Sequence, residues 1–144
     1  MKWQVALAGA LASAMLTGAA SAEVRIAGDA GGEVSSYVEK YQKLQAAGER
    51  IVIDGACLSA CTLFTGLIAP DHVCVTRNAA LGFHAASYFD DASRSLVPTR
   101  QGSQFVMGLY PPAIRAWINR HGGLRPRLLI MRGRDLAAFY PNCR

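Results

Sequence analysis

Apolar and polar positions alternate in two different periods along the chain, starting at residue 23. EVRIA, residues 23–27, alternates apolar and polar side chains, which predicts a short strand, and the turn signal GDAGG follows it. From Glu33 to Ala47 apolar residues recur at helical spacing until Gly48 ends the pattern. The apolar run IVID, residues 51–54, then predicts a buried strand.

Strand and helix signals keep alternating beyond that strand. Ser59 to Ile68 predicts a helix that stops at Ala69-Pro70, because the residue before a proline avoids helical backbone. The remaining predicted elements are two strands or one bent strand over 72–76 and 80–84, a covering or binding loop over 87–103, a helix over 104–120 that Pro111-Pro112 interrupts or starts, and a last strand over 128–131.

The order of these elements indicates an α/β fold. Strands that alternate with helices bury a sheet on both faces, and the crossover helices make neighbouring strands parallel. We therefore expect a small parallel β-sheet with crossover helices. The roughly 120 residues from Glu23 onward are one domain's worth of chain, so 23–144 is predicted to form a single domain.

Residues 1–22 have the composition of a cleaved signal peptide. Lys2 supplies the basic start, Val5 to Leu16 the apolar segment, and Ala20-Ser21-Ala22 the small-residue cleavage site. The apolar run is shorter than the roughly 20 residues of a spanning helix, so we expect no stable membrane anchor. The sequence predicts a mature protein that is periplasmic or secreted.

Four cysteines, Cys57, Cys61, Cys74 and Cys143, lie beyond the predicted cleavage site. An even number of cysteines in an exported chain predicts disulfide bonds, here two. Three pairings are open, and Cys57 with Cys74 is favoured because both lie on consecutive predicted strands. The CxxxC spacing of the first two matches neither a zinc site nor a redox motif, so no metal and no cofactor are predicted.

Charge is distributed unevenly along the chain, whose formal net charge is +5. Residues 23–93 are net acidic, whereas Arg94 to Arg144 contains nine arginines and a single acid, Asp135. These arginines alternate with apolar residues and have neither aromatic stacking positions nor a nucleic-acid-binding motif, so no nucleic acid partner is expected. The pattern favours a solvated face or an acidic protein partner.

Candidate reactive groups follow three predicted strands. In parallel α/β folds the carboxyl ends of the strands gather the functional loops, and here they carry Gly31-Gly32, Ser59 and His84. A serine, a base within reach and converging backbone N–H groups are the minimum set for acyl transfer. The alternative is structural: a turn glycine pair, a helix-capping serine and a core histidine.

The segments GDAGGEV, GACLSACTLFTG and ALGFHAA resemble the Clp-type serine peptidases of the wider crotonase superfamily, and in particular small exported Clp-protease-like proteins of bacteria. The resemblance implies a ClpP/crotonase-like fold, truncated relative to the full family. It implies that Ser59 is the catalytic nucleophile, that His84 is the base and that Asp135, in the Arg134-Asp135-Leu136 step, orients the histidine. It also implies that the backbone N–H groups of Gly31 and Ala60 form the oxyanion hole.

A periplasmic serine hydrolase, most plausibly a Clp-like peptidase acting on a peptide or protein substrate, is the function that this resemblance implies. Two alternatives stay open: a non-catalytic module that binds a partner through the arginine-rich half, and acyl-thioester chemistry of the crotonase type. The shortened scaffold also favours stabilisation by disulfides or by homo-oligomer formation. Cys57 and Cys61 flank Ser59, which suggests that disulfide bonding fixes the turn from the second strand into the following helix, a turn we call the elbow.

Overall fold

The computed structural model describes residues 22–144, which form a mixed α/β structure with one five-stranded sheet and a separate two-stranded sheet. The predicted signal peptide lies outside the described residues, apart from Ala22. No helix in the described part of the chain is both long and apolar enough to cross a bilayer.

The helices and strands occupy the following residues: β1 Glu23–Asp29, α1 Val34–Ala46, β2 Arg50–Leu58, a 3-10 helix Ser59–Leu63, α2 Phe64–Leu67, a 3-10 turn Pro70–His72, β3 Val73–Val75, β4 Ala80–Phe83, β5 Ser87–Asp90, β6 Ser95–Pro98, α3 Arg100–Leu109, α4 Pro112–Arg120, β7 Leu129–Arg132 and α5 Arg134–Ala137.

The larger sheet is built around β2. Strand β1 pairs along one side of β2, while β3 and then β4 pair along successive parts of its other side, all in parallel. Strand β7 pairs antiparallel to β4, with Leu129 beside Phe83, so the expectation of a wholly parallel sheet is wrong at this strand. The reason is the path of the chain. After α4 it passes the carboxyl end of β4, where Ala85 N–H donates to the Arg125 carbonyl, and it enters β7 from that end.

Large apolar side chains from the sheet and from α1, α2 and α4 form one hydrophobic core. Burying these side chains removes the apolar faces of the helices from water, which is the main favourable term in folding. The largest fully buried members are Tyr41, Phe64, Phe83, Ile51, Ile53, Leu63, Leu81, Ile114, Ile118, Met131 and Leu136. These side chains come from β2, β4, β7 and the helices, so the core packs the helices against the sheet whose strand ends carry Ser59 and His84.

Two other expectations differ from the structure. The stretch predicted as a loop over 87–103 contains the hairpin β5–β6 and the first turn of α3, which Thr99 caps by accepting a hydrogen bond from Gly102 N–H. The interruption predicted at Pro111-Pro112 is confirmed: α3 ends at Leu109 and α4 begins at Pro112, because Pro111 has no N–H to continue the hydrogen-bond ladder. The predicted helix from Ser59 begins as a 3-10 helix.

The disulfides join Cys57 to Cys61 and Cys74 to Cys143. The favoured pairing of Cys57 with Cys74 is wrong because of strand register: Cys74 lies beside Val52, five residues before Cys57 on β2. Five residues of strand span about 16 Å, whereas a disulfide needs Cα atoms within about 7 Å. Two disulfides indicate an oxidising compartment.

Candidate active site

Ser59 follows the last residue of the central strand β2 and has a left-handed backbone with φ of +56°. Within residues 22–144, Arg94 is the only other non-glycine residue with positive φ. Such a conformation costs about 1 kcal/mol or more for a residue with a Cβ atom, and it persists where the surrounding structure imposes it. The serine is partly exposed, while Ala60 and Cys61 behind it are buried.

Buried hydrogen bonds and the Cys57–Cys61 disulfide hold this elbow. Thr62 Oγ1 donates to the Ser59 carbonyl at 2.6 Å, which leaves Tyr110 OH to donate to Thr62 Oγ1 at 2.7 Å. Tyr41 OH donates to the Cys61 carbonyl at 2.7 Å. Sequence reasoning missed Thr62, Tyr110 and Tyr41, because the two tyrosines are 48 and 20 residues away from their partners and read as ordinary core aromatics.

Gly31 packs directly against the elbow from the turn between β1 and α1. Its φ is +82°, and a Cβ atom here would lie 2.5 Å from the Leu58 carbonyl oxygen, 2.7 Å from Ser59 Cβ and 2.9 Å from Ala60 N. Both the backbone angle and the contact distances therefore require glycine. The structure places Gly31, Ser59 and Ala60 together, as the sequence predicts.

Replacing Gly31 with alanine is expected to destabilise the protein by about 3 kcal/mol, because strain at positive φ adds to an overlap with backbone atoms. The same change at Gly28, which lies on β1 three residues before Gly31, meets no atom within 4 Å and serves as the matched control. Urea unfolding of both variants measures the difference. Equal free energies of unfolding for the two variants would contradict the close contact at Gly31.

The N–H of Gly31 points to a carboxylate. It donates to Asp29 Oδ1 at 2.8 Å, Tyr37 OH donates to the same oxygen at 2.5 Å, and Lys40 Nζ lies 3.7 Å from Oδ2. Partial burial opposes the charge of Asp29, but these three groups outweigh it and lower its pKa. Because the Gly31 N–H donates to Asp29, it is not free to bind an oxyanion as the sequence predicts, whereas the Gly32 N–H makes no backbone hydrogen bond within residues 22–144.

His84 lies on the opposite side of Ser59 from the glycine pair. Leu58 is beside Gly82 in the parallel pair β2–β4, so Ser59 and His84 leave adjacent strand ends. Both side chains line one cleft of about 600 Å³. The cleft is completed by Ala30, Gly31, Gly32, Glu33 and the hairpin residues Ser87, Tyr88, Phe89 and Leu96.

The imidazole of His84 is held by the backbone. Nδ1 lies 2.6 Å from the carbonyl oxygen of Ala85. A carbonyl oxygen only accepts hydrogen bonds, so Nδ1 carries the proton and Nε2 of the neutral ring keeps a free lone pair. This is the tautomer that a general base at Nε2 requires.

Asp135 is not brought to His84. Its exposed carboxylate accepts a hydrogen bond from Trp117 Nε1 at 3.2 Å. The antiparallel register places Arg132, three residues earlier, beside Ala80 at the amino end of β4, about 10 Å along the strand from the end that carries His84. Asp135 therefore does not lie beside His84 as predicted, and the group next to His84 Nδ1 is the Ala85 carbonyl.

A second, largely apolar groove of about 610 Å³ runs between α1 and α3 and shares Gly32, Glu33 and Ser87 with the cleft at Ser59. Its apolar wall consists of Val34, Val38, Ala86, Phe105 and Val106. Glu33 and Glu39 lie at its rim. The groove and the cleft at Ser59 are therefore neighbouring cavities that adjoin at these three shared residues.

The described residues contain no cluster of three or more side chains that could hold a metal ion. No protein-family model, no curated protein and no solved structure matches the chain. The relation to the Clp-type peptidases therefore stays a prediction that the three quoted segments carry. What the structure adds is geometric: a strained serine, a histidine of suitable tautomer and backbone N–H groups at one cleft.

Proposed function

We propose that the protein is a serine hydrolase that works outside the cytoplasm through an acyl-enzyme intermediate. Within that class we propose a Clp-like peptidase. The observation that carries the proposal is the strained backbone of Ser59, held by buried contacts at the cleft that His84 also lines. Backbone strain clusters at active sites, ligand clamps and switch regions, and at Ser59, unlike at Arg94 in the exposed β5–β6 turn, it coincides with a cleft.

The proposed reaction begins with attack of Ser59 Oγ on a substrate carbonyl, while His84 Nε2 accepts the hydroxyl proton. The resulting oxyanion is stabilised by the N–H groups of Ala60 and Gly32, the first at the start of the 3-10 helix and the second in the glycine turn. His84 then returns the proton to the leaving group. In the second half-reaction His84 Nε2 accepts a proton from water as the water oxygen attacks the acyl carbonyl. His84 then returns this proton to Ser59 Oγ as the acid product leaves.

The orienting group of His84 sets an upper limit on the rate. A backbone carbonyl fixes the tautomer of the ring, but it carries only a partial charge, so it stabilises the imidazolium less than a carboxylate does. We therefore expect a turnover lower than that of enzymes whose histidine is paired with an aspartate.

The preferred peptide or ester substrate also presents an apolar group to the α1–α3 groove.

An ester series tests the function and the groove together. We expect the oxidised protein to hydrolyse p-nitrophenyl octanoate with a kcat/KM at least tenfold above that for the acetate, since each buried methylene contributes about 0.8 kcal/mol. Val34→Asp should lower the octanoate rate about tenfold and leave the acetate rate unchanged, because it places a charge in the groove.

Ala46→Asp is the control, since it adds the same charge to α1 at an exposed position outside the groove. It should hydrolyse both esters as the unsubstituted protein does. Failure of the folded, oxidised protein to hydrolyse either ester would overturn the proposed function. Hydrolysis with no chain-length preference would overturn only the role of the groove.

A further inference from the structure

Strand β7 forms one edge of the larger sheet. It pairs with β4 alone, and it is the last strand in the order β1, β2, β4, β7. Beyond that pairing, residues 129–132 make no backbone hydrogen bond within the described part of the chain. The outer N–H and C=O groups of β7 are therefore free to pair with another strand.

Two large apolar side chains lie in the open at this edge. Leu128 and Ile130 are 39% and 43% exposed, and alternation along the strand puts them on the same face. Both lean over Gly82, where a Cβ atom would lie 3.0 Å from Leu128 Cδ2 and 3.3 Å from Ile130 Cδ1, and Leu58 Cδ2 reaches the same point. Leu128 and Ile130 form an apolar strip along the free edge, whereas Leu58 belongs to β2, which β4 separates from β7.

Positive charge surrounds the strip. Arg127, Arg132 and Arg134 are exposed and form no ion pair within residues 22–144. The single acid of this half, Asp135, is bonded to Trp117. A second copy of the chain that paired through the same edge would bring two sets of arginines together, which like-charge repulsion disfavours.

We propose that the β7 edge binds an extended acidic segment of a partner protein by strand addition. Main-chain hydrogen bonds to Leu129–Arg132 supply the pairing, the strip of Leu128 and Ile130 receives alternate apolar side chains, and the arginines receive the carboxylates. This interaction is independent of the Ser59 cleft, so it holds whether or not the protein is a hydrolase.

Fluorescence anisotropy with a labelled peptide, Glu-Asp-Val-Thr-Val-Asp-Glu, tests the proposal on the oxidised protein. Alternation puts its valines and both glutamates on one face, as it does Leu128, Ile130 and Arg132. We expect micromolar binding that weakens as salt is raised, because the ion pairs are exposed. The double variant Arg127→Glu with Arg132→Glu should weaken binding at least tenfold. The matched control Arg94→Glu with Arg100→Glu, which makes the same charge change outside β7, should leave it within twofold.

A second peptide, N-methylated at alternate residues so that one edge cannot donate hydrogen bonds, separates strand pairing from simple charge attraction. We expect it to bind at least tenfold more weakly than the parent peptide. Equal binding of the two peptides, or equal weakening by the control variant, would overturn the proposal in favour of non-specific attraction. A dimer in sedimentation that Ile130→Lys dissociates, with no peptide binding, would assign the edge to a second copy instead.

Discussion

Ser59→Ala is expected to lower kcat for p-nitrophenyl octanoate about a thousandfold while leaving the unfolding midpoint within about 2 °C of the unsubstituted protein. The substitution removes the nucleophile, and catalysis that remains comes from binding and from the oxyanion N–H groups alone. Stability is preserved because alanine keeps the Cβ atom and therefore the same strain at positive φ. Steady-state kinetics and thermal unfolding on the same preparation measure both quantities.

Glycine substitutions at the two strained positions provide the matched control. Ser59→Gly and Arg94→Gly should each stabilise the protein by about 1 kcal/mol, since glycine adopts positive φ without a steric penalty. Only Ser59→Gly should abolish hydrolysis. A Ser59→Ala variant that retains more than a tenth of the activity would show that the nucleophile lies elsewhere.

Removing the Cys74–Cys143 disulfide is expected to destabilise the protein by about 4 kcal/mol, against about 2 kcal/mol for Cys57–Cys61. The expected loss grows with the length of chain that each bond closes in the unfolded state, and the two separations are 69 and 4 residues. Urea unfolding of the two double-alanine variants measures the difference.

Activity should rank the two variants in the opposite order. The Cys57–Cys61 bond spans Ser59 and helps to hold the elbow, so its loss should lower kcat at least tenfold in protein that is still folded. The Cys74–Cys143 bond joins β3 to the segment after α5, and its loss should leave the kcat of the folded fraction unchanged. The reverse ranking of stability or of activity would contradict this division.

Local sequence patterns predict the parts of the fold that depend on neighbouring residues. The EVRIA, IVID and ALGFH segments form parallel strands, and the helical spacing after Glu33 forms α1. Parallel strands end together, so the site components that follow them meet at the carboxyl ends of the strands. These components are Gly31, Ser59, Ala60 and His84.

Features that depend on strand register or on distant contacts could not be predicted in this way. The disulfide pairing depends on Cys74 lying beside Val52, and a shift of a few residues would change it. The misplacement of Asp135 has the same origin, since the reversal of β7 decides which end of β4 it reaches. The occupation of the Gly31 amide by Asp29 depends on a two-residue turn whose hydrogen bond has no signature in a hydrophobic pattern.

Covalent labelling of Ser59 tests the central claim most directly. The oxidised, folded protein should react with a fluorophosphonate to give a stoichiometric mass increase in the intact protein, which peptide mapping places on Ser59. His84→Gln should slow that reaction at least a hundredfold, because the proton of Ser59 Oγ then has no acceptor. No adduct on the folded protein, or an adduct on Ser59 that forms equally fast without His84, would contradict the account.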